Sequence, residues 1–176
     1  MKKFIIILLF TGGLFLMSYA EDLFLQEELE PLRKYIGTTW KGIMQESDPD
    51  NVSIDIQHWE RILNGTALRI THSINDGIYG GETIIFWNKE LESLAYYYFT
   101  TAGFFTKGTM LIEGKAYIAT ESVTGNEQGI TEVISISEIL DDGSMRVTSE
   151  FFKNGEWVDG HIINYNEAPD EKVIFK

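Results

Sequence analysis

Cysteine is absent from the 176 residues, and proline and histidine are scarce, with three of each. Without cysteine the protein can form no disulfide, no thiolate-ligated metal site and no thiol nucleophile. Basic residues are also few, since 14 Lys and Arg stand against 27 Asp and Glu, and the formal net charge is −13. A surface with this charge repels phosphate groups and anionic lipid headgroups, so no nucleic-acid partner is expected.

The first twenty residues have the organisation of a secretory signal. Two lysines precede the apolar stretch 4–17, which is followed by the small residues Ser18 and Ala20. The apolar stretch holds about 14 residues, which is short for a helix that crosses a bilayer. We therefore predict a cleaved signal peptide at 1–20 and a mature domain at 21–176. The protein is expected in the periplasm or the medium, with no stable membrane anchor.

A series of β-type segments fills the rest of the chain, separated by turn sequences such as Asn64-Gly65 and Asn154-Gly155. Short connections of this kind join neighbouring strands antiparallel. A meander of about ten strands would leave two exposed edges, and closure into a barrel removes them. We predict an all-β fold, a single antiparallel up-and-down β-barrel of about ten strands. The predicted strands cover residues 38–46, 52–63, 66–74, 79–87, 92–101, 104–112, 115–123, 130–140, 144–153 and 157–166.

A short helix is expected ahead of the first strand. Leu25, Leu29, Leu32 and Ile36 recur at a helical spacing. Pro31 interrupts the pattern, so the helix should be short. A helix in this place would close one end of the barrel.

The helix is followed by Gly37-Thr38-Thr39-Trp40-Lys41-Gly42, then by a second strand that carries a tryptophan and by an antiparallel meander. This order resembles the calycin superfamily of lipocalin-like barrels. The likeness is greatest to exported bacterial ten-stranded members of unknown function, whose general pattern is similar to residues 86–89, 102–103 and 154–157 here. The resemblance implies a barrel whose lumen can hold a small ligand.

The size of the lumen depends on the number of strands and on the side chains inside. A barrel of about eight strands is just wide enough to be filled by side chains or to hold one small ligand, and the diameter grows with strand number. Aromatic residues make up 13% of the chain, so a lumen filled by large side chains is the alternative to an open one.

The hairpin of the second and third strands decides where two of the three histidines face. A three-residue turn at 63–65 would place His58 opposite Ile70. The same register would place Ile56 opposite His72. Both imidazoles would then face the lumen.

His161, in the last strand, shares its parity with Ile163 and Tyr165 and is also expected to face inward. Three inward histidines would permit haem or metal binding. The chain is more distantly similar to the nitrobindins, ten-stranded haem barrels with a proximal histidine late in the chain. That resemblance implies His161 as the axial ligand if haem binds. The alternative is that the histidines hydrogen-bond to their neighbours in a polar lumen and that there is no cofactor.

The fourth and fifth strands are apolar on both faces. A four-residue loop at 88–91 would place Thr83 opposite Tyr96 and Gly81 opposite Tyr98, all on the lumenal face. The outer face then needs a cover. The N-terminal helix or the second copy of a homodimer could supply it.

No catalytic motif is recognisable, because the chain has neither a Gly-x-Ser-x-Gly elbow nor a His-Glu-x-x-His helix. No catalytic residue is predicted, and an enzyme is the weaker interpretation. We expect an exported protein that holds a small, largely apolar molecule in its lumen. The alternatives are a haem-binding barrel and a non-binding structural barrel that oligomerises. The candidate ligand-binding residues are Trp40, His58, His72, Thr83, Tyr96, Tyr98 and His161.

Overall fold

The structure, a computed structural model, describes residues 24–44, 52–124 and 128–176, so the predicted signal peptide lies outside the described residues. Ten strands form one sheet in which each strand is antiparallel to the next, and β1 pairs with β10 to close it. The expected ten-stranded antiparallel barrel is therefore confirmed. The strands are β1 Thr39–Met44, β2 Ser53–Ile62, β3 Ala67–Ile74, β4 Tyr79–Asn88, β5 Ser93–Thr100, β6 Phe105–Glu113, β7 Ala116–Thr124, β8 Ile130–Ile139, β9 Met145–Lys153 and β10 Glu156–Glu167.

The turn sequences set these strand ends. Asn154 and Gly155, for example, both have a positive φ, 55° and 90°, as a tight hairpin between twisted strands requires. Each predicted strand matches an observed one, although the end of the first, 45–46, lies outside the described residues. Among the residues that the structure describes, no helix is long and apolar enough to cross a membrane.

The connection between β2 and β3 is one residue longer than expected. Leu63, Asn64 and Gly65 all have positive φ, and the Thr66 hydroxyl donates a 2.9 Å hydrogen bond to the Leu63 carbonyl oxygen. Thr66 thus belongs to the turn, and Ile62 pairs with Ala67.

This extra residue overturns the predicted register. His72 lies opposite Gln57, and His58 lies opposite Thr71. A shift of one residue moves a strand's side chains to the other face. The inward row of β2 therefore contains Asp55, Gln57 and Trp59, all buried. The expectation that His58 faces the lumen is wrong, because His58 lies on the outer face.

The pairing of β4 with β5 also differs from the expectation, because its register is shifted by two residues. The Asn88 side chain accepts hydrogen bonds from the backbone N–H of Glu90 and Leu91, while Asn88 itself still pairs with Ser93. The loop is therefore 89–92. Because a shift of two keeps each side chain on its face, the lumenal row is as predicted. Its partners change: Thr83 lies opposite Tyr98 and Ile85 opposite Tyr96.

One end of the barrel is filled by side chains from the chain's first described residues. Glu27–Tyr35, expected to form a short helix, is a 3-10 helix that includes Pro31. Leu29, Leu32 and Tyr35 from this helix are almost completely buried. The Tyr35 ring stacks on Trp59 with centroids 4.8 Å apart. This packing forms the main core, at the closed end of the barrel.

The last residues, 168–176, cross the outer face of the first strands. Lys41 Nζ lies 2.7 Å from Glu171 Oε1, and the backbone N–H of Ile174 donates a 3.0 Å hydrogen bond to Ser73 Oγ. Ile56 lies directly opposite Ser73 on this outer face and is only 8% exposed. The C-terminal segment explains how an apolar row can occur on the outside of β2.

Candidate functional site

A cavity of about 690 Å³ occupies the half of the barrel farther from the 3-10 helix. The residues at this end of the barrel line it: Met44 and Ile74, the last residues of β1 and β3, and Tyr79, the first residue of β4. Apolar and polar side chains both line it. The apolar wall includes Met44, Ile74, Phe104, Val123, Val133 and Phe151, and the polar groups include His72, Tyr79, Tyr98, Thr106, Glu121 and His161.

The side chain of Tyr165 extends across β1 at Gly42 and reaches the buried carboxylate of Asp55 in β2. Its hydroxyl donates a 2.7 Å hydrogen bond to Asp55 Oδ2. Gly42 lies opposite Tyr165 on one side and opposite Asp55 on the other, in the strand between them. A Cβ on Gly42 would lie only 2.6 Å from Tyr165 Cδ1 and from Ile163 Cγ2. Glycine is therefore the residue that lets the phenol span two strands.

Tyr98, which lies opposite Thr83, reaches His72 diagonally across β4, close to Gly81. His72 and Gly81 are cross-strand partners, and a Cβ on Gly81 would lie 3.0 Å from Tyr98 Cζ. The Tyr98 hydroxyl lies 2.7 Å from His72 Nε2. Here too a glycine in the intervening strand gives the aromatic ring its path.

These contacts join five side chains into one hydrogen-bonded chain. His72 Nδ1 lies 2.8 Å from Asp55 Oδ1, so the Asp55 carboxylate accepts from both His72 and Tyr165. At the other end the Tyr98 hydroxyl lies 3.0 Å from the Tyr79 hydroxyl. The Tyr98 hydroxyl donates to the Tyr79 hydroxyl, and the Asp55 carboxylate accepts from His72 Nδ1–H. The chain thus runs from the buried acid to the wall of the cavity.

A third tyrosine, Tyr96, extends across β6 to Glu121, which lines another part of the cavity wall. Tyr96 and Glu121 both lie opposite Gly108, on either side of it. The Tyr96 hydroxyl donates a 3.4 Å hydrogen bond to Glu121 Oε2, and the Thr106 hydroxyl donates to the same oxygen. Glu121 is consequently held against the cavity by two hydroxyl groups.

Burial governs the titration of these groups. Removal from solvent raises the pKa of the Glu121 carboxyl, although the hydrogen bonds from Thr106 and Tyr96 act in the opposite direction. Burial likewise raises the pKa of Tyr98 and Tyr165, and their acidic or phenolic neighbours raise it further. These phenols therefore remain protonated donors at neutral pH.

The structure brings only three of the predicted residues to the cavity wall, namely His72, Tyr98 and His161. His161 is exposed at the rim, where β10 is irregular between Asp159 and Ile162, and its ring contacts Phe151 edge-on with centroids 5.3 Å apart.

The other four predicted residues lie elsewhere. Trp40 is buried in the core at the closed end, and Thr83 and Tyr96 occupy the lumenal row without bordering the cavity. His58 bonds Thr39 Oγ1 at 2.9 Å on the outer face.

Sequence reasoning missed the two acids that anchor the site, Asp55 and Glu121. Asp55 alternates with Ile54 and Ile56 and so looks like the solvent side of its strand, and Glu121 lies between Thr120 and Ser122. The available signal was glycine inside a strand, at Gly42, Gly81 and Gly108, since such glycines often mark a close approach by another group. Within the described ranges no cluster of three or more His, Cys, Asp or Glu could hold a metal ion.

The chain is similar in fold to a solved structure from a mycobacterium. The crystal structure of Rv2717c from M. tuberculosis superimposes with a TM-score of 0.61 and 10% sequence identity, covering 82% of this chain and 99% of that chain. Likeness at this identity establishes the fold alone. No protein-family model and no curated protein matches the chain.

Proposed function

We propose that this protein is an exported, calycin-like barrel that holds a small, largely apolar molecule in its lumen. The observation that carries the proposal is the cavity of about 690 Å³. This volume lies in the range of a few hundred to about a thousand Å³ that is usual for ligand sites. Export rests on the signal-like residues 1–20.

The composition of the wall also supports a ligand of this kind. Val123, Val133, Phe104 and Phe151 offer apolar area, which supplies affinity in proportion to the surface removed from water. Several polar groups are already held by hydrogen bonds within the protein: Tyr98 and His72 bond to each other, and Glu121 accepts from Thr106 and Tyr96. A site held in this way loses little conformational freedom when it binds.

The test is a titration with Nile red, a neutral apolar dye that fluoresces outside water. We expect saturable fluorescence with the wild-type protein. Val123→Trp, which places an indole in the cavity, should lower the affinity by about tenfold or more. Ser122→Trp is the matched control, because Ser122 is exposed on the outer face of the same strand. No saturable binding, or equal loss in both variants, contradicts the proposal.

A second candidate is haem binding through His161. The observation that favours it is that His161 lines the cavity and that no described side chain hydrogen-bonds to its imidazole, whereas both nitrogens of His72 are engaged. Haemin added to the purified protein should then give a sharp Soret band. His161→Ala should abolish the band and His58→Ala should preserve it. A band that survives His161→Ala contradicts this candidate.

A third candidate is a structural barrel that oligomerises through its outer face. Four rings form a continuous row there, with centroids 6.4 Å apart for Phe86 and Tyr97, and 6.3 Å apart both for Tyr97 and Phe99 and for Phe99 and Phe105. Light scattering should then give the mass of at least two chains. Phe99→Ser should reduce the measured mass to that of one chain. Ile43→Ser, at an exposed position in the distant strand β1, should leave the mass unchanged. A monomeric wild-type protein contradicts this candidate.

A further inference from the structure

We infer that the lumenal ligand carries a protonated amine on its apolar body, and that the carboxylate of Glu121 binds this amine. The inference rests on the proposed function and names the chemical class of its ligand.

The two oxygens of the Glu121 carboxylate have different surroundings. Oε2 accepts the hydrogen bonds of both Thr106 and Tyr96. Oε1 accepts no hydrogen bond from the described residues. It is also not one of their fully buried, unpartnered atoms, so part of its surface is accessible. Since Glu121 lines the cavity, Oε1 is the oxygen that a ligand in the cavity can reach.

No Lys or Arg side chain of the described ranges compensates this carboxylate. Neither Lys nor Arg is among the described residues that line the cavity. A carboxylate removed from water without a neighbouring cation is costly, and burial raises the pKa of Glu121 even though Thr106 and Tyr96 donate to it. A cationic group on the ligand would supply the missing charge and form a strong, charge-assisted hydrogen bond.

The rest of the wall suits a cation with an apolar body. Tyr79, Tyr98, Phe104 and Phe151 line the same cavity, and the faces of aromatic rings attract ammonium groups. A second acid, Asp55, lies behind His72. The net charge of −13 draws cations toward the protein and repels anions such as fatty-acid carboxylates.

The alternative polar ligands are neutral alcohols and carboxylates, and a matched series separates them. Decylamine, decanol and decanoate share one alkyl chain and differ only in the head group. Each would displace Nile red from the full-length mature protein at concentrations below those at which it forms micelles. We expect decylamine to displace the dye at about tenfold lower concentration than decanol, and decanoate to be the weakest.

Glu121→Gln tests the residue, because glutamine keeps the shape and can still accept from Thr106 and Tyr96. We expect the preference for decylamine over decanol, taken as the ratio of the two displacing concentrations within this variant, to shrink to about twofold or less. Glu132→Gln is the control, since it removes the same charge from an exposed position in β8. The control should retain the full preference.

The outcomes separate the two proposals. If decanoate or decanol displaces the dye as well as decylamine from the wild-type protein, the amine inference is overturned while the proposed function stands. If the amine preference persists in Glu121→Gln, the assignment to Glu121 is overturned. If Nile red does not bind at all, both proposals fail. The wild-type series decides the ligand class even if the variant does not fold.

Discussion

The phenol of Tyr165 donates a 2.7 Å hydrogen bond to the carboxylate of Asp55 from two strands away. The ring passes over Gly42, which lies in the strand between them. Tyr96 spans a strand at Gly108 in the same way to reach Glu121, and Tyr98 passes diagonally close to Gly81 to reach His72. The polar network of the site thus depends on positions where a side chain is missing.

The first prediction concerns Gly42. Gly42→Ala places a methyl group against Tyr165 and Ile163, and overpacking of this kind costs about 1–3 kcal/mol. The free energy of unfolding, measured by chemical denaturation, should fall by that amount. In a Tyr165→Leu background the same substitution should cost less, because the ring it strikes is gone. Equal costs in the two backgrounds would show that Gly42 serves no such purpose.

The second prediction concerns the hydroxyl of Tyr165. Tyr165→Phe removes one of the two donors to Asp55, which is 3% exposed. Leaving a buried acceptor unsatisfied costs about 1–3 kcal/mol of unfolding free energy. Tyr97→Phe, on the exposed outer face, is the matched control and should change stability by less than about 0.5 kcal/mol. A Tyr165→Phe protein as stable as this control would contradict the account of the network.

The third prediction concerns pH. Burial raises the pKa of Glu121 above its usual value of 4.5, so between the two values the folded state binds more protons than the unfolded state. The contribution of Glu121 to stability therefore falls as the pH rises from 4.5 through the folded-state pKa. Each pKa unit by which the folded state exceeds the unfolded state corresponds to about 1.4 kcal/mol of unfolding free energy.

The matching measurement is denaturation at several pH values. Glu121→Gln should equal the wild type in stability near pH 4 and exceed it at pH 7, because glutamine carries no charge to bury. Glu132→Gln, at an exposed position, should show no such pH-dependent gain. A Glu121→Gln protein that is less stable than the wild type at pH 7 would contradict the predicted sign.

The fourth prediction concerns the closed end of the barrel. Leu29 in the 3-10 helix is 0% exposed, and replacing a buried leucine by alanine costs about 2–5 kcal/mol. Glu27→Ala, at an exposed position in the same helix, should cost less than about 0.5 kcal/mol. Thermal or chemical unfolding distinguishes them. If Leu29→Ala is as mild as Glu27→Ala, the helix does not pack into the barrel.

Much of the fold could be predicted because its information is local. Asn154 and Gly155, for example, mark a hairpin. A strand has a period of two, so Thr83, Tyr96 and Tyr98 stay on the lumenal face even where the register is off by two. The register of β2 and β3 could not be predicted, because Leu63 adopts a positive φ that leucine rarely takes. Thr66 then completes the turn.

The site was less predictable than the fold because its residues meet across strands. His72 and Tyr98 were expected in the lumen and lie there in contact. The expected register places Ile56 and His58 in the lumen, because nothing in β2 itself reveals that residues 168–176 cover the outer face. Asp55 was overlooked for the same reason.

Native mass spectrometry of the protein purified from its own host tests the central claim most directly. The account predicts that the wild-type protein carries a small molecule, seen as a mass increment over the polypeptide, and that Val123→Trp carries much less of it. A wild-type mass equal to that of the bare polypeptide, unchanged in the variant, would contradict the claim that the lumen holds a ligand.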